Sequence, residues 1–261
     1  MRLLPLLLLA GCASPPSGGG GGIVSTNPCA DAMLVQMVPH ARIAAISHYS
    51  HDPGASSIPP ALARRFRTTA GTAEEVIALR PDLVVASTFT PPATRDAYAR
   101  AGLRTLYLDS PQTVAASIAQ VTALAFAVDA PAKGEAMASA IAHAAAPGIQ
   151  PRDRPAALLY IAGDLATGSG TLLDELLTRA GFRNAAADYG LAFTGTLPAE
   201  TIVSRPPSVV IAPAGEGRRA ALRRKLLPAT READFPRALV NCGGPTIIAG
   251  MARLRAIRAT L

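Results

Sequence analysis

The sequence predicts an α/β protein with two Rossmann-like lobes, each built on a central and mostly parallel sheet, joined by a single long backbone helix. Short apolar strands alternate with helical patterns in both halves, and a stretch with almost no strand signal separates the halves. A helix–strand phrase also recurs in the second half. The predicted divisions are a leader and tether at 1–22, an N-terminal lobe at 23–110, an interlobe helix region at 111–150 and a C-terminal lobe at 151–261.

The first residues predict export and lipidation. Arg2 supplies a positive charge, residues 3–9 form an apolar run, and residues 9–12 match a bacterial lipobox. Spanning a bilayer takes about 20 residues, so a cleaved signal peptide is favoured over an anchor helix or a buried N-terminal strand. We expect Cys12 to carry the lipid and the glycines at 18–22 to form a flexible tether. The protein would then lie in the periplasm or cell envelope, anchored to a membrane through its lipid.

The net charge of +7 comes mostly from arginine, since Lys133 and Lys225 are the only lysines. The arginines are spread along the chain and aromatic residues are few, which argues against nucleic acid as a partner. We interpret them mainly as solvated helix faces, with a modest indication of an anionic ligand.

Apolar strands and helical patterns alternate through the N-terminal lobe, as in a parallel sheet wrapped by helices. Gly102 is a plausible C-cap for its second helix. The predicted strands cover 23–28, 42–47, 83–86 and 105–108, and the predicted helices cover 73–79 and 94–101.

The middle of the chain predicts the helix that joins the lobes. Its apolar stripe recurs at spacings of four and three, at Val114, Ile118, Val121, Ala125 and Val128. This spacing is helical, and a helix over 111–128 would be about 27 Å long. A proline at 131 marks a break, after which a second, alanine-rich helix is predicted to run to about residue 146.

The alternation resumes in the C-terminal lobe. Strands are predicted at 157–162, 209–212 and 238–241, and helices at 171–180, 218–227 and 246–261. Residues 73–86 can be laid on 199–212, because both contain a glutamate in the first helical turn, a proline stop and a four-residue apolar strand. The helix dipole alone would explain these glutamates, Glu74 and Glu200.

Residues 71–84 resemble the signature of the periplasmic binding proteins for cobalamin, haem and ferric siderophores. These proteins form the helical-backbone (class III) family of substrate-binding proteins that serve ABC importers. Residues 23–28 are similar to the family's opening strand, and residues 242–245 to its closing turn. The resemblance covers 23–261.

This resemblance implies a solute-binding protein and not an enzyme. A small ligand would bind in the cleft between the lobes, and the protein, as a monomer without a cofactor of its own, would deliver it to an ABC permease in the inner membrane. The ligand would be a metal chelate, namely a corrinoid, haem or a ferric siderophore. Glu74 and Glu200 fall on the positions that dock onto permease arginines, which is consistent with charge pairs setting the orientation of a complex.

In such folds ligands lie at the carboxyl ends of strands. The predicted ligand contacts are therefore loop residues: Asn27, Cys29, His48, Tyr49, His51, Phe89, Thr90, Asp109, Asp164, Ser169, Gly243, Gly244 and Pro245. Residues 48–51 either contact the metal of a chelate or form a hydrogen-bonded loop beside the cleft. Residues 163–171 predict a helix start whose amides are available to an anionic group.

With Cys12 assigned to lipid, Cys29 and Cys242 remain, each at a turn predicted to face the cleft. We favour a disulfide that would tie the lobes together and limit their opening. The alternative is a pair of free thiols that contact a soft metal.

Two other functions stay open at this point. A metal-dependent periplasmic hydrolase on a similar two-lobed fold would use His48, His51 and Asp52, although the sequence has no nucleophile elbow and no dense His/Asp/Glu constellation. A non-catalytic lipoprotein that scaffolds envelope partners is the third possibility.

Overall fold

The structure is a computed structural model that describes residues 21–148, 153–215 and 217–261. The predicted fold class is confirmed, since two α/β units with mostly parallel sheets flank a helical segment. The predicted apolar run, the lipidation site Cys12 and most of the glycine tether lie outside the described residues, as does the predicted boundary at 150/151. Within the described ranges, no helix is both long and apolar enough to cross a bilayer.

The N-terminal lobe is a five-stranded parallel sheet in the order β3-β2-β1-β4-β5. Its strands are β1 (Ile23–Ser25), β2 (Ile43–Ser47), β3 (Thr68–Thr69), β4 (Leu83–Ser87) and β5 (Thr105–Leu108). Its helices are α1 (Pro28–Met37), α2 (Pro60–Ala63), α3 (Ala73–Ala78) and α4 (Pro92–Arg100). The strand order reverses between β1 and β4, so the carboxyl ends of these two strands border a crevice where open α/β sheets bind ligands.

Helix α1 is an element that the sequence patterns do not predict. Asn27 caps it, because its side-chain oxygen accepts the Cys29 amide at 2.9 Å, and Pro28 occupies its first turn. Seven of its ten residues are buried, so the helix has no polar stripe and its apolar positions show no helical period. The first strand therefore ends at Ser25, not at the predicted residue 28.

Two helices of 14 residues each join the lobes, α5 (Val114–Ala127) and α6 (Pro131–Ala144), and they pack against each other as a hairpin. Asp129 reverses the chain between them with a positive φ of 57°, and Pro131 has no amide hydrogen with which to continue α5. The single long helix predicted between the lobes is thus replaced by a pair, whose second member is the predicted alanine-rich helix.

Arginines fasten this helix pair to both lobes. Arg42 and Arg104 of the N-terminal lobe donate to carbonyls at the end of α5, at 2.9 and 3.1 Å. Arg179 and Arg255 of the C-terminal lobe donate to carbonyls just after α6, at 2.8 and 2.7 Å. Positive groups at helix C-termini are favourable because they oppose the helix dipole. Part of the arginine surplus therefore has a structural role.

The C-terminal lobe has the strand order β11-β10-β6-β7-β9, with β8 paired to β6. Its strands are β6 (Ala156–Ala162), β7 (Leu165–Ala166), β8 (Arg183–Asn184), β9 (Gly195–Thr196), β10 (Val209–Ala212) and β11 (Arg231–Asp234). Its helices are α7 (Leu172–Arg179), α8 (Ala199–Ile202), α9 (Gly217–Leu226) and α10 (Thr246–Arg258). Strands β6, β8, β10 and β11 are parallel, whereas β7 pairs antiparallel with β6 and β9.

The prediction of a strand at 238–241 is wrong. A short 3-10 helix, Arg237–Leu239, follows Pro236 there, and the edge strand of the sheet is β11, with the sequence Arg-Glu-Ala-Asp. A charged edge strand contains no apolar run that would reveal it, and its charges discourage pairing with another chain.

The lobes and the helix pair share one core. Ile23 and Leu83 of the first sheet, Val121 and Ile141 of the helix pair, and Leu159 of the second sheet belong to a single contiguous cluster of buried side chains. Smaller clusters cover the opposite face of each sheet. One apolar core therefore connects the two lobes through the helix pair.

Candidate ligand-binding cleft

A cavity of about 330 Å³ lies between the lobes, at the carboxyl ends of β1, β4 and β5. The N-terminal lobe and the start of the helix pair contribute Asn27, Cys29, Ser87, Phe89, Asp109, Ser110, Pro111 and Gln112. The C-terminal lobe contributes Ile161, Thr167, Thr171, Leu172, Leu173, Thr194, Val240, Asn241, Cys242 and Gly243. Five of the predicted contacts thus line the cavity: Asn27, Cys29, Phe89, Asp109 and Gly243.

The cavity has a buried floor and an exposed mouth. Asn27, Thr167 and Cys242 are buried at the floor. Phe89 lies at the mouth with 76% of its surface exposed, and Thr194 of the opposite lobe is exposed as well. A ligand would therefore enter past an aromatic ring and come to rest against small and amide side chains.

Cys29 and Cys242 are joined by a disulfide bond, with their Cα atoms 5.2 Å apart. Cys29 lies in the first turn of α1 and Cys242 precedes α10, so the bond links one lobe to the other. As bonded cysteines they do not titrate.

Gly243 fits between α5 and the cavity because it has no side chain. A Cβ atom there would lie 2.7 Å from the Ser117 hydroxyl and 2.9 Å from the Pro111 ring. The next residue, Gly244, has a φ of 63° and donates its amide to Ser117 Oγ at 2.6 Å. Gly244 therefore anchors the segment to α5, and neither Gly244 nor Pro245 lines the cavity.

The described residues that line the cavity carry little charge. Asp109 is the only ionisable side chain among them, and its Oδ1 accepts the Thr88 hydroxyl at 2.9 Å and the Ser110 amide at 2.8 Å. Neutral amides are supplied by Asn27, Gln112 and Asn241. Despite the net charge of +7, no arginine or lysine belongs to this described lining.

The predicted contacts His48, Tyr49 and His51 form a 3-10 helix that does not line the cavity. A ring nitrogen of His48 lies 3.2 Å from the Thr69 carbonyl, and one of His51 lies 2.9 Å from the Ala63 carbonyl. The segment is thus a hydrogen-bonded loop, which was the second interpretation of its sequence.

The histidines also do not assemble with Asp52, whose Oδ1 accepts the Gly54 amide at 2.8 Å. In the described part of the chain, no group of three or more His, Cys, Asp or Glu side chains is placed to hold a metal ion. The trio needed by the hydrolase alternative is therefore engaged with backbone groups.

The glycine-rich segment 163–171 leads into α7, whose first turn is capped from within the chain. Asp174 accepts the Gly170 amide at 3.0 Å, and Thr171 in turn accepts the Asp174 amide at 3.1 Å, so the start of α7 is capped by its own side chains. Asp164 forms an ion pair with Arg219 at 2.5 Å.

Two further predicted contacts are engaged in backbone structure. The Ser169 carbonyl accepts the Phe193 amide at 3.3 Å, and the Thr90 amide donates to the Ser87 carbonyl at 2.9 Å. Neither Ser169 nor Thr90 lines the cavity, and the same holds for Asp164.

Several lining residues were missed by the sequence reasoning, notably Ser87, Gln112, Thr167, Thr194 and Asn241. Ser87 directly follows the strand predicted at 83–86, and Asn241 directly precedes Cys242. Thr194 comes from a loop with no sequence signal.

Glu74 and Glu200 lie exposed in the first turns of α3 and α8. Neither carboxylate makes a hydrogen bond or ion pair within the described residues. The neighbouring Glu75 differs, because it accepts the Thr69 hydroxyl at 2.8 Å and the Ala70 amide at 2.7 Å, and these bonds lower its pKa.

Asp31 is a fully buried carboxyl group in the first turn of α1. Its Oδ2 accepts the Ser47 amide at 3.0 Å and the Ser50 hydroxyl at 2.6 Å, while its Oδ1 has no partner among the described residues. Burial raises the pKa of Asp31 to about 7, because the loss of hydration outweighs the opposing interactions with Ser25, Ser50 and Ser47.

Comparison with known proteins gives a family and a fold. The model of a family described as periplasmic binding protein matches residues 23–226, whereas the comparison with curated proteins finds no match.

Among solved structures, the periplasmic haem-binding protein HutB of Vibrio cholerae matches with a TM-score of 0.74 at 14% identity, over 92% of this chain and 99% of that one. The periplasmic vitamin B12 binding protein BtuF of Vibrio cholerae matches with a TM-score of 0.69 at 16% identity, over 91% and 96%. A periplasmic haem-binding protein from Pseudomonas aeruginosa matches with a TM-score of 0.68 at 23% identity, over 90% and 91%. At these identities the likeness shows the fold.

Proposed function

Because the chain belongs to the periplasmic binding protein family, we propose that it is the solute-binding component of an ABC importer, which captures a metal chelate in the cleft between its lobes and delivers it to a permease. The observation that carries this proposal is the cavity at the carboxyl ends of β1, β4 and β5, which both lobes line. Binding, without catalysis, is the role that such a cavity supports best.

The chemistry of the lining favours a chelate whose metal is already fully coordinated. Haem iron in proteins is held by His, Tyr, Met or Cys side chains. The described lining contains no His, Tyr or Met, and its two cysteines are bonded to each other. A corrinoid or a ferric siderophore, which brings its own ligands, therefore suits this cleft better than haem does.

The charge of the lining also favours a corrinoid or a ferric siderophore over haem. Haem carries two carboxylates, whereas the only ionisable side chain in the described lining is the carboxylate of Asp109. Burying unpaired carboxylates beside a negative group is costly. We therefore propose a ligand that is neutral or cationic overall and rich in amide or hydroxyl groups, which Asn27, Gln112 and Asn241 could recognise.

The cavity is small for a whole macrocycle, since ligand pockets run from about 300 to 1,000 Å³. Part of the ligand would therefore occupy the floor, and the rest would lie at the mouth. Phe89 and Phe193, which are 76% and 64% exposed on opposite lobes, offer apolar surface there. Contact with the ligand would remove the apolar surface of these rings from solvent.

The exposed positions of Glu74 and Glu200 support docking of the two lobes onto basic groups of the permease. Lipidation of Cys12, attachment to the envelope membrane and a monomeric state complete the proposal, on the sequence grounds given above.

The test is a titration of the purified protein with cyanocobalamin, a neutral ferric hydroxamate siderophore and haemin, followed by calorimetry and by the melting temperature. We expect saturable binding of one of the first two, with no turnover of the ligand. Substituting Asn27→Ala or Asn241→Ala would weaken that binding about tenfold, the loss of roughly one hydrogen bond to an amide.

Preferential binding of haemin would contradict the proposed ligand class. Failure of all three ligands to bind would contradict the importer function. His51→Ala is the matched control, because His51 lies outside the lining and its loss is expected to leave the affinity unchanged.

A further inference from the structure

The disulfide lies at the floor of the cleft. Cys242 is only 9% exposed, whereas the residues at the mouth, such as Phe89 and Thr194, are open to solvent. Both cysteines belong to the cavity lining. The covalent link between the lobes therefore lies opposite the side by which a ligand enters.

Weaker contacts between the lobes surround this bond. Ser57 Oγ donates to the Ala238 carbonyl at 2.9 Å, and Asn241 Nδ2 donates to the Gly54 carbonyl at 3.2 Å. Gly244 packs against α1 so closely that an added Cβ would lie 3.1 Å from the Met33 side chain. A typical hydrogen bond contributes only about 1 kcal/mol, so thermal motion can open these contacts but not the disulfide.

The bond limits how the lobes can separate. Cα atoms of bonded cysteines are usually 4.4–6.8 Å apart, and here the distance is 5.2 Å. The floor can therefore widen by only about 1–2 Å before the disulfide is strained. Larger opening must be a rotation that moves the mouth apart and leaves the floor in place.

We propose that the Cys29–Cys242 disulfide is a covalent stop that fixes the width of the cleft floor and thereby determines the size of the group that the floor admits. This proposal rests on the proposed function, because it assigns a specificity determinant to the same cleft. With the stop in place, a bulky part of a chelate stays at the mouth. Without it, only hydrogen bonds and the packing of the shared core limit the width of the floor, so larger groups enter more readily.

The first test measures lobe separation without any ligand. Maleimide-linked spin labels are attached to Asp96→Cys on α4 and Lys225→Cys on α9, which are exposed residues of opposite lobes. Distances are measured by double electron–electron resonance in the native background and in the double variant Cys29→Ser/Cys242→Ser. We expect a longer mean distance and a broader distribution in the double variant.

Ser57→Ala is the matched control, because it removes one interlobe hydrogen bond and leaves the disulfide intact, so its distances are expected to match the native ones. If the double variant does not fold, as judged by circular dichroism, the labelled native protein is reduced with a water-soluble phosphine. The phosphine and one water molecule convert the disulfide to two thiols, and the water oxygen ends on phosphorus as a phosphine oxide. Identical distance distributions with and without the bond would overturn the proposal.

The second test compares cyanocobalamin with dicyanocobinamide, a smaller corrinoid that lacks the nucleotide loop. We expect the native protein to prefer the smaller corrinoid, and this preference to fall about tenfold in the double serine variant, the discrimination that a rigid site exerts against one oversized group. An unchanged preference would overturn the role in specificity. If neither protein binds a corrinoid while the distances still widen, the corrinoid assignment fails and the covalent stop stands.

Discussion

Asp31 shows how a single residue can resist interpretation from sequence. Its position in the first turn of α1 would suggest a favourable interaction with the helix dipole. The fold instead buries it completely, with one carboxylate oxygen lacking a partner among the described residues. Desolvation then dominates and raises its pKa from 3.8 to about 7.

This shift predicts a pH dependence of stability. Between about pH 4 and pH 7 the folded protein holds a proton on Asp31 that the unfolded chain releases, so the free energy of unfolding falls as the pH rises through this window and levels off above it. The full shift corresponds to at most about 4 kcal/mol. Asp31→Asn, which resembles the protonated acid, is expected to remove this decline in urea unfolding experiments at pH 4, 5.5 and 7.5.

The comparison between native protein and variant isolates Asp31 from the other titrating groups, because both chains share them. Parallel stability curves for the two proteins would show that Asp31 titrates normally in the fold and would contradict its raised pKa.

Residues that directly follow a strand were the predictable part of the site. Asn27, Phe89 and Asp109 line the cavity because strand ends and the crevice coincide in a parallel sheet. His48 and His51 also follow a strand, but their rings are hydrogen-bonded to carbonyls of β3 and α2. Sequence reasoning could place the loop and not the direction of its side chains.

At the scale of elements, the helix pair depends on one close approach. Gly134 of α6 faces Ala125 of α5, and a Cβ atom at Gly134 would lie 2.2 Å from the Ala125 Cβ. Both atoms would be fixed to helix backbones, so neither could rotate away.

Gly134→Ala is therefore expected to destabilise the protein by about 1–3 kcal/mol, because overpacking outweighs the better helix propensity of alanine. Gly148→Ala is the matched control, since nothing lies within 4 Å of its added Cβ, and its effect is expected to stay within about 0.5 kcal/mol. Denaturant unfolding of both variants measures the difference. Equal effects of the two substitutions would contradict the tight packing of α5 on α6.

Helix α1 and strand β11 show why some elements escape sequence patterns. Seven of the ten residues of α1 are buried, so this helix has no polar stripe. Strand β11 is a charged edge strand without an apolar run. Both depart from the periodic signal on which helix and strand predictions depend. The strands β4 and β10, which are buried apolar runs, were found close to their true limits.

At the scale of the whole molecule, the repeated glutamates offer a test of permease docking. Glu74→Gln and Glu200→Gln are expected to leave ligand affinity unchanged, because neither residue lines the cavity. Uptake of the ligand by cells of the source bacterium is expected to fall in each single variant, and about tenfold in the double variant, since rim charges govern encounter with a partner.

Glu135→Gln, an exposed glutamate on α6, controls for the loss of one negative charge elsewhere on the surface. Normal uptake in the double variant would contradict docking and leave Glu74 and Glu200 as helix-dipole residues.

Strand runs, helical stripes and the phrase at 71–84 are local patterns, so they suffice to predict the two α/β lobes, the helical segment between them and the family. The packing of the lobes establishes which loops meet at the cavity and that its described lining carries no basic group, and it settles the choice between a Cys29–Cys242 disulfide and two free thiols. The disulfide spans 213 positions of sequence. Contacts over such separations depend on how the lobes pack, and no local pattern encodes them.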